Sequence, residues 1–430
     1  MLAEIAKSFV KAFPLGKKEN KNIEKFRKKY GKDFDEILKM KIFTEKDLDE
    51  RKKKIVEEAM KPQYGPIVYK KDNKFYVNPY RGECLRLVYS DFDETRRLAQ
   101  LIAQEYWARG VHVSLVPSTS KLSRIALSVS PDWAIAELPE TSVATAKLYD
   151  ARIFLGGDED ENWIKGLEQK HLLGAPGTQY LHQIMDSRGV RWCVFGWPVE
   201  KKEYHVNKNF YRKVFLASIK ETFSPEVKKY CDYYRRALEG GDVIRIVADD
   251  GTDLTFRIKG RPILVADGII DGEDIKRGDV GLNIPDGEVF LAPLEYSANG
   301  KILFDFVTIH GFGLVKNLWI EFKDGKVVSY RAEVGTNKFR KFLESNTGEK
   351  DRIAELGIGT NPAARFVGDT IVDEKIFGSV HIAIGNNTGA YHGKNVASSH
   401  LDMIKIMRGK GGKMYVDGKL IMDNGLPIFV

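Results

Sequence analysis

The repeated succession of a helical pattern and a short apolar strand between residues 90 and 200 most constrains the fold. Three helical stretches lead directly into apolar ones: DETRRLAQLIAQEYWARG into VHVSLVP, ETSVATAKLYDA into RIFLGG, and YLHQIMDSRG into VRWCVFGWP. Apolar strands that alternate with helices are typical of a largely parallel sheet with covering helices on both faces. We therefore predict an α/β domain here. The glycine-containing stretches GGDEDENW and, further on, GIGTNP match neither G-x-G-x-x-G nor the P-loop, which argues against a dinucleotide site.

The pattern changes after the helix predicted in TFSPEVKKYCDYYRRALEGG. Ser224 can cap this helix, Pro225 suits its first turn, and two glycines end it. From there to residue 430 short strands and glycine-rich turns dominate, beginning with a hairpin in DVIRIVADDGTDLTFRIKG. We therefore predict three parts: a helical extension rich in lysine and glutamate (1–62), an α/β domain (63–230) that opens with a hairpin around Asp72-Asn73, and a β-rich α+β catalytic domain (231–430).

The net charge is concentrated in the first 62 residues. The 430-residue chain carries +8, and residues 1–62 hold 18 Lys and Arg against 12 Asp and Glu, which leaves only +2 for the remainder. In the extension, basic and acidic residues are mixed and apolar residues recur at helical spacing, as in solvent-exposed amphipathic helices. This distribution argues against a nucleic-acid partner.

Sequence features also indicate the compartment. No stretch of about 18 apolar residues occurs, and the start MLAEIAKSFVKAF contains Glu4 and lacks the apolar segment of a secretion signal. Cys84, Cys193 and Cys231 are far apart and form no C-x-x-C pair, so neither a disulfide framework nor a cysteine zinc site is expected. We expect a soluble, cytoplasmic protein that does not associate with a membrane.

Acidic and imidazole side chains in unusual surroundings lie between residues 288 and 402. As strands, SVHIAIG places apolar residues on one face and His381 among small residues on the other, and SSHLDM places His400 and Asp402 on one face. Glu288 in GEVFLAP and Glu355 in RIAELGIG stand beside apolar residues. A buried carboxylate is unfavourable unless it is paired or binds a cation.

Each of these signals alone has an ordinary explanation. A strand histidine can be a hydrogen-bonded core or surface residue, a glutamate beside apolar residues can form a structural salt bridge, and a His-X-Asp triplet can be coincidence. Together they predict a metal site, because imidazole nitrogen and carboxylate oxygen are ligands of zinc, cobalt and manganese. Two histidines with three or more carboxylates exceed the four ligands of one tetrahedral zinc and fit two ions that share a carboxylate and a water.

Four motifs resemble, in order and spacing, those of the aminopeptidase T and aminopeptidase S family of metalloaminopeptidases: NIPDGEVFLAP, AELGIGTNP, DEKIFGSVHIAIG and SSHLDM. The resemblance covers most of residues 216–430 and, more loosely, the α/β part, whereas the first 60 residues match nothing in the family. It implies an N-terminal α/β domain, a β-rich catalytic domain, a homodimer, and two divalent metal ions per chain.

The resemblance also implies roles for individual residues. The metal ligands that it implies are Glu288, Glu355, His381, His400 and Asp402. Glu355 would bridge the two ions, and Glu374 would be either a further ligand or the general base. Tyr391 lies near the position of a family tyrosine that stabilises the reaction intermediate. His392 has no family role and is expected to be a surface imidazole.

The predicted function is hydrolysis of the N-terminal peptide bond of peptides with a free N-terminus, through a water that bridges the two metal ions. Glu374 or the neighbouring Glu288 would accept the proton of that water. The alternative is a non-catalytic binding or scaffold protein of the same fold, with a basic N-terminus that binds nucleic acid. A serine or cysteine hydrolase is not predicted, since neither G-x-S-x-G nor a cysteine with a plausible partner appears.

Overall fold

The chain begins with helices and alternating strands and continues into a strand-rich second half. The computed structural model describes residues 1–157 and 159–429. Its helices are α1 (Leu2–Ala12), α2 (Asn22–Tyr30), α3 (Lys32–Met40), α4 (Glu50–Ala59), α5 (Asp93–Trp107), α6 (Ser120–Val129), α7 (Asp132–Ala136), α8 (Glu140–Leu148), α9 (Glu168–Leu172), α10 (Ala175–Ser187), α11 (Lys208–Thr222), α12 (Pro225–Leu238), α13 (Gly272–Arg277), α14 (Thr336–Glu344) and α15 (Thr370–Asp373). Among these described residues, every helix is too short or too polar to cross a membrane.

The strands are shorter on average and concentrate in the second half of the chain. They are β1 (Lys17–Glu19), β2 (Ile42–Phe43), β3 (Val68–Lys71), β4 (Lys74–Val77), β5 (Tyr80–Gly82), β6 (Cys84–Ser90), β7 (His112–Ser118), β8 (Ala151–Leu155), β9 (Arg191–Phe195), β10 (Val243–Val247), β11 (Asp253–Arg257), β12 (Leu264–Ala266), β13 (Gly281–Ile284), β14 (Glu288–Leu291), β15 (Asn299–Ile309), β16 (Gly313–Lys323), β17 (Lys326–Val334), β18 (Ile353–Gly359), β19 (Ser379–Gly385), β20 (His400–Ile406), β21 (Lys413–Val416), β22 (Lys419–Asp423) and β23 (Leu426–Pro427).

Side-chain caps fix where several helices begin. Asp49, Thr119 and Asn207 each accept a backbone N–H from the first turn of α4, α6 and α11. Ser224 does the same for α12, where its Oγ accepts an N–H at 3.2 Å and Pro225 occupies the first helical position. These bonds satisfy amides that a helix start leaves unpaired. The predicted start of α12 is confirmed.

A small unit near the N-terminus has its own apolar core. The predicted hairpin is confirmed: β3 and β4 pair antiparallel, and Asp72 and Asn73 form the turn with φ of 50° and 59°. With β2, this hairpin packs against α2, α3 and α4 around a cluster that includes Phe26, Phe34 and Phe75. Helix α1 instead packs its apolar face into the core of the α/β part.

The predicted parallel sheet of the α/β part is confirmed, with strand order β13-β9-β8-β6-β7. One face packs against α1, α5 and α11, and its buried residues include Leu87, Ile153 and Phe195. On the other face, Arg152 and Phe154 of β8 are exposed. The predicted covering of this face is incomplete along β8, because Arg152 lines a cleft, while α8 and α10 lie over part of the face.

The second half forms a large antiparallel sheet in the order β12-β14-β18-β19-β20-β15-β11-β10-β21-β22-β23, with β16 beside β15 and β17 beside β16. The predicted hairpin of β10 and β11 is confirmed. Its apolar cluster includes Ile302, Ile320 and Ile382, and α12 and α14 contribute buried side chains to it. The fold is thus mixed α/β, with a parallel sheet in the N-terminal region and a large antiparallel sheet in the C-terminal region.

Contacts cross the predicted boundaries between the three parts. Phe9 of α1, within residues 1–62, meets Phe195 of β9 with ring centres 5.7 Å apart. Strand β13, within residues 231–430, pairs with β9 in the parallel sheet. The division at residues 62 and 230 stays a prediction, and the two sheets are joined directly by the short segment between β13 and β14.

Candidate metal centre

Four neighbouring strands of the antiparallel sheet bring the predicted ligands together. The strands lie in the order β14-β18-β19-β20, and each adjacent pair is antiparallel. Adjacent strands are about 4.8 Å apart and alternate residues share a face, so side chains from four strands can converge. The converging residues are Glu288 of β14, Glu355 of β18, His381 of β19, and His400 and Asp402 of β20.

Small residues on the strands make room for these side chains. Ala383 pairs with Glu355 on one side and with Asp402 on the other. Gly357 pairs with His381, and a Cβ on Gly357 would lie 2.0 Å from Nε2 of the imidazole. The imidazole therefore fills the space that the missing side chain leaves.

Glu355 lies between two imidazoles and offers one oxygen to each. Its Oε1 is 3.3 Å from Nε2 of His381, and its Oε2 is 3.0 Å from Nε2 of His400. Glu288 Oε2 is 3.5 Å from the same nitrogen of His381, and Asp402 Oδ1 is 3.3 Å from the same nitrogen of His400. The cluster is thus two imidazole–carboxylate groups joined through one shared carboxylate.

Three sets of potential ligand atoms each lie within 4.8 Å of one another. The sets are Glu288, Glu355 and His381; Glu355, His400 and Asp402; and Glu374, His381 and Asp402. All six residues predicted as ligands are therefore brought together, and Glu355 belongs to two of the sets. The sharing of Glu355 is the arrangement expected for a bridging carboxylate.

The hydrogen bonds of the cluster fit a divalent metal. Glu288 Oε2 and His381 Nδ1 are buried and have no hydrogen-bond partner within residues 1–157 and 159–429. A buried carboxylate oxygen without a donor is unfavourable unless a cation lies beside it. His400 Nδ1 lies 2.7 Å from the carbonyl oxygen of Asn386, which fixes the ring and leaves Nε2 directed at the cluster.

Without metal, protons on the histidines compensate the carboxylates. Burial raises the pKa of Glu355, but hydrogen bonds and positive charge from His381 and His400 outweigh it and hold that pKa well below its ordinary value. Burial lowers the pKa of His381, and Glu355 and Glu288 overcome this effect and raise it to about 9. The pKa of His400 also lies well above its ordinary value, because Asp402 and Glu355 outweigh burial. Metal ions would take the place of these protons.

Glu374 follows helix α15 and is buried at the edge of the cluster. Asn283 of β13 donates to its Oε1 at 3.0 Å, and the ammonium of Lys375 lies 2.7 Å from the same oxygen. Burial raises the pKa of Glu374 to about 8; Lys375 opposes this shift, and the negative charge of Glu288 adds to it. A residue of the parallel sheet therefore helps to position this carboxylate.

Sequence reasoning missed Lys375 as part of the site. Its side chain is fully buried, and its Nζ lies 2.5 Å from Glu288 Oε1 and 3.4 Å from Asp286 Oδ1, in addition to Glu374. Burial raises the pKa of Asp286 to about 7. The salt bridge considered for Glu288 thus exists on Oε1, while Oε2 faces His381. The signal was a lysine directly after Glu374 and before an apolar run.

Tyr391 lies in a short 3₁₀ helix (Gly389–Tyr391) beside the cluster. Its hydroxyl donates to Glu355 Oε2 at 2.8 Å, and its ring centre is 5.9 Å from that of His400. Burial raises the pKa of Tyr391 well above its ordinary value, so the phenol is a neutral donor. The side chain of His392 is exposed, as predicted for a surface imidazole.

The cluster opens into a cleft of about 470 Å³ between the two sheets. Glu355, His400 and Tyr391 line it on the side of the antiparallel sheet, and Arg152 and Trp192 line it on the side of the parallel sheet. A larger cavity of about 950 Å³ lies between α12 and the strands β21 to β23 and is lined by other residues. The cleft between the sheets is therefore the one that the clustered ligands face.

A buried cluster of imidazoles and carboxylates at the base of a cleft is typical of a metal-dependent hydrolase. Residues 77–426 match the family described as thermophilic metalloprotease (M29). The chain belongs to this family. The family resemblance inferred from the four motifs is thereby confirmed.

Individual relatives agree with the family. Aminopeptidase AmpS of Bacillus subtilis (strain 168) is 20% identical over 298 residues, which cover 63% of this chain and 71% of AmpS. Wild-type AmpT from Thermus thermophilus has a similar fold, with a TM-score of 0.61 and 18% identity over 81% of this chain and 95% of that one. A 2,5-dihydroxypyridine dioxygenase from Pseudomonas putida KT2440 has a TM-score of 0.50 and 15% identity over 80% of this chain and 92% of that one.

These comparisons bear on the predicted enzyme class and fold. The family together with the aminopeptidase relative bears out a metal-dependent aminopeptidase and does not favour the non-catalytic alternative. The two solved structures show a shared fold. Membership of a metalloprotease family implies divalent metal ions, and the clustered imidazole and carboxylate groups are able to hold them.

Proposed function

We propose that this metalloprotease removes the N-terminal residue from peptides with two divalent metal ions held at the cluster. The position of Glu355 supports this best, because its two oxygens face the imidazoles of two ligand sets. Glu288 and His381 would hold one ion, His400 and Asp402 the other, and Glu355 would contact both. Zinc, cobalt and manganese each suit these ligand types.

When bound, the two ions supply a water of lowered pKa and polarise the carbonyl of the scissile bond. Glu374 accepts the proton from that water and returns it to the leaving amine. Asn283 and Lys375 both bond its Oε1, which fixes the carboxylate and leaves Oε2 to take the proton. A proton acceptor works best with a pKa near the working pH. Burial raises the pKa of Glu374 in the metal-free site, and bound cations would lower it again, which suits a carboxylate that accepts a proton near neutral pH.

Tyr391 orients Glu355 and completes the wall of the cleft. Its hydroxyl donates to Glu355 Oε2 at 2.8 Å, which keeps the carboxylate between the two histidines. The same residue lines the cleft, and when Glu355 Oε2 contacts a metal ion instead, the one O–H of Tyr391 would be free to donate to the substrate oxygen as negative charge develops. Lys375 acts one layer further out, because it balances Glu288 and Glu374 without lining the cleft.

The charge of the cleft suits peptides with a free N-terminus. A free α-amine needs an anionic partner or a metal position. Glu288, Glu374 and Asp402 line the cleft, so the amine would meet the ions that they hold or a carboxylate oxygen that the ions leave free. Blocking that amine should therefore abolish cleavage. From the family resemblance we also propose a cytoplasmic homodimer.

The test begins with purified full-length protein stripped by chelation and reloaded with zinc, cobalt or manganese singly. Cleavage of leucine p-nitroanilide should return at about two ions per chain, and the N-acetylated anilide should stay intact. Glu355→Ala and His381→Ala should lose activity and metal while keeping the circular dichroism spectrum. Glu344→Ala, at an exposed position of α14, is the matched control and should keep all three. Cleavage of the acetylated compound, or full turnover by Glu355→Ala, would contradict the proposal.

A further inference from the structure

The open face of the parallel sheet carries two arginines side by side. In register, Arg86 of β6 lies between Ser114 of β7 and Arg152 of β8, and Arg152 lies next to Trp192 of β9. These four residues therefore share one face of the sheet. Like charges directly opposite each other on neighbouring strands are unfavourable, so this pair requires compensation.

The protein itself offers the two arginines little negative charge. Within residues 1–157 and 159–429, neither guanidinium has an ion pair or a side-chain hydrogen bond. Asp186 is the acidic residue whose charge influences Arg152, but it lies outside ion-pair distance. Its carboxylate accepts a hydrogen bond from the hydroxyl of Thr388 instead. The side chain of Arg152 is exposed to the cleft, but the protein around its guanidinium desolvates it in part and lowers its pKa. Asp186 raises this pKa and Arg86 lowers it, but a guanidinium stays protonated in proteins.

Arg152 stands where the cleft of the metal centre meets a second cavity. This cavity of about 280 Å³ lies between the open sheet face and helices α8 and α10, and both Arg86 and Arg152 line it. Arg152, Met185 and Val190 line both the second cavity and the cleft. A ligand that reaches from the cluster along the cleft therefore meets a guanidinium at the entrance to a further space.

The spacing suits a short peptide. Asn283 bonds Glu374 and lies two residues after Gly281 on β13. Gly281 and Arg152 both pair with Trp192 of β9, from opposite sides, so they are two strands apart. With about 3.3 Å per residue and 4.8 Å per strand, the Cα atoms of Asn283 and Arg152 are about 12 Å apart. An extended peptide spans about 3.3–3.6 Å per residue, so three to four residues cover this distance.

We propose that Arg152, with Arg86 beside it, binds a carboxylate of the peptide substrate, which makes short or acidic peptides the preferred substrate class. This inference rests on the proposed aminopeptidase function. The carboxylate is either the free C-terminus of a peptide of three to four residues or an acidic side chain after the scissile bond. Both present the planar pair of oxygens that a guanidinium binds with two parallel hydrogen bonds.

The experiment compares kcat/KM of the metal-loaded enzyme for Leu-Gly-Gly, Leu-Gly-Gly amide and Leu-Glu-Gly amide. A hydrogen bond between ionised partners corresponds to about a 10- to 100-fold difference in affinity. The kcat/KM of at least one carboxylate peptide should therefore exceed that of the neutral amide by this factor. In Arg152→Gln that ratio should fall towards one, and in Arg152→Lys and Arg86→Gln it should fall part of the way. Arg235→Gln, on the exposed face of α12, is the matched control and should keep the ratio of the wild type.

The outcomes separate this inference from the function on which it rests. A high ratio for Leu-Gly-Gly alone identifies the C-terminal carboxylate, and one for Leu-Glu-Gly amide identifies the acidic side chain. Equal kcat/KM for all three peptides, in an enzyme that cleaves leucine anilide, overturns the carboxylate site and leaves the aminopeptidase intact. A folded Arg152→Gln or Arg86→Gln with the full wild-type ratio also overturns it. Failure of the loaded wild type to cleave the anilide contradicts the proposed function instead.

Discussion

The substitution Gly357→Ala tests whether the packing of His381 decides the activity. The backbone of Gly357 is an ordinary strand, so alanine is compatible with it, and the three atoms nearest to the new Cβ all belong to the facing imidazole. The new Cβ would lie 2.0 Å from Nε2 and 2.1 Å from Cε1, whereas ordinary contacts begin at 3.4 Å. The ring of His381 would therefore have to move by more than 1 Å from a position in which it is almost completely buried.

A movement of this size should be far more damaging to catalysis than to folding. Metal–ligand distances are held to about ±0.2 Å, and a displacement of about 1 Å at a catalytic group costs about 100-fold in rate. Overpacking one methyl group in a core costs about 1–3 kcal/mol of the free energy of unfolding. We therefore expect kcat/KM for leucine anilide to fall at least about 100-fold, with lower metal content and a modest decrease in Tm.

The assay measures anilide cleavage, metal content after dialysis, and thermal unfolding for the same preparation. The matched control is Gly272→Ala at the first position of α13, where a Cβ would meet nothing within 4 Å. His381→Ala should resemble Gly357→Ala in activity, and the double substitution should be no worse than His381→Ala. If Gly357→Ala keeps activity and metal within about twofold of the wild type, the geometry assigned to His381 is wrong.

Three further predictions concern groups around the cluster. Tyr391→Phe removes the donor to Glu355, so kcat should fall about 10- to 1,000-fold with a smaller change in KM, measured by steady-state kinetics. Lys375→Met leaves buried carboxylates without their cation and should lower the free energy of unfolding by about 3–5 kcal/mol in urea titrations of the metal-free protein. Burial raises the pKa of Asp373 well above 3.8, so from about pH 4 upwards the folded state holds a proton that the unfolded state releases, and stability falls by up to about 1.4 kcal/mol per pH unit. Asp373→Asn should lack this decline and gain stability over the wild type between pH 5 and 8 in urea titrations.

Local patterns predicted the elements of the fold because they depend on neighbours in sequence. The helix that starts at Ser224, the hairpin at Asp72-Asn73 and the parallel sheet all follow from caps, turn residues and apolar periodicity. The open face of β8 was not predicted. Its pattern of buried and exposed residues alternates, and a strand that reads RIFLGG gives no sign that Arg152 lines a cleft and that Phe154 is exposed.

The ligand set could be inferred from strand periodicity and the family motifs, whereas its surroundings could not. His400 and Asp402 share a strand face by periodicity alone, and this was predicted. The contact between Asn283 and Glu374 joins a strand of the parallel sheet to the residue that follows α15, 91 positions away. Lys375 was missed for a related reason: its partner Glu288 is 87 positions away, and only the folded chain shows that a lysine beside an apolar run is neutralised there.

The junction of the two sheets explains why the family match extends over both halves of the chain. Strand β13 belongs to the parallel sheet, and four residues after its end Glu288 begins the antiparallel strand β14. This one segment places Asn283 against Glu374 and Glu288 against His381, so the proposed proton acceptor and the proposed ligands keep their spacing only if both sheets are docked. The match over residues 77–426 leaves out the unit with its own apolar core, but it also leaves out α1, whose Phe9 lies in the core of the parallel sheet. We therefore expect the two docked sheets to require α1 as well. Only the strands and helices between α1 and β5 can then be removed without loss of the metal centre.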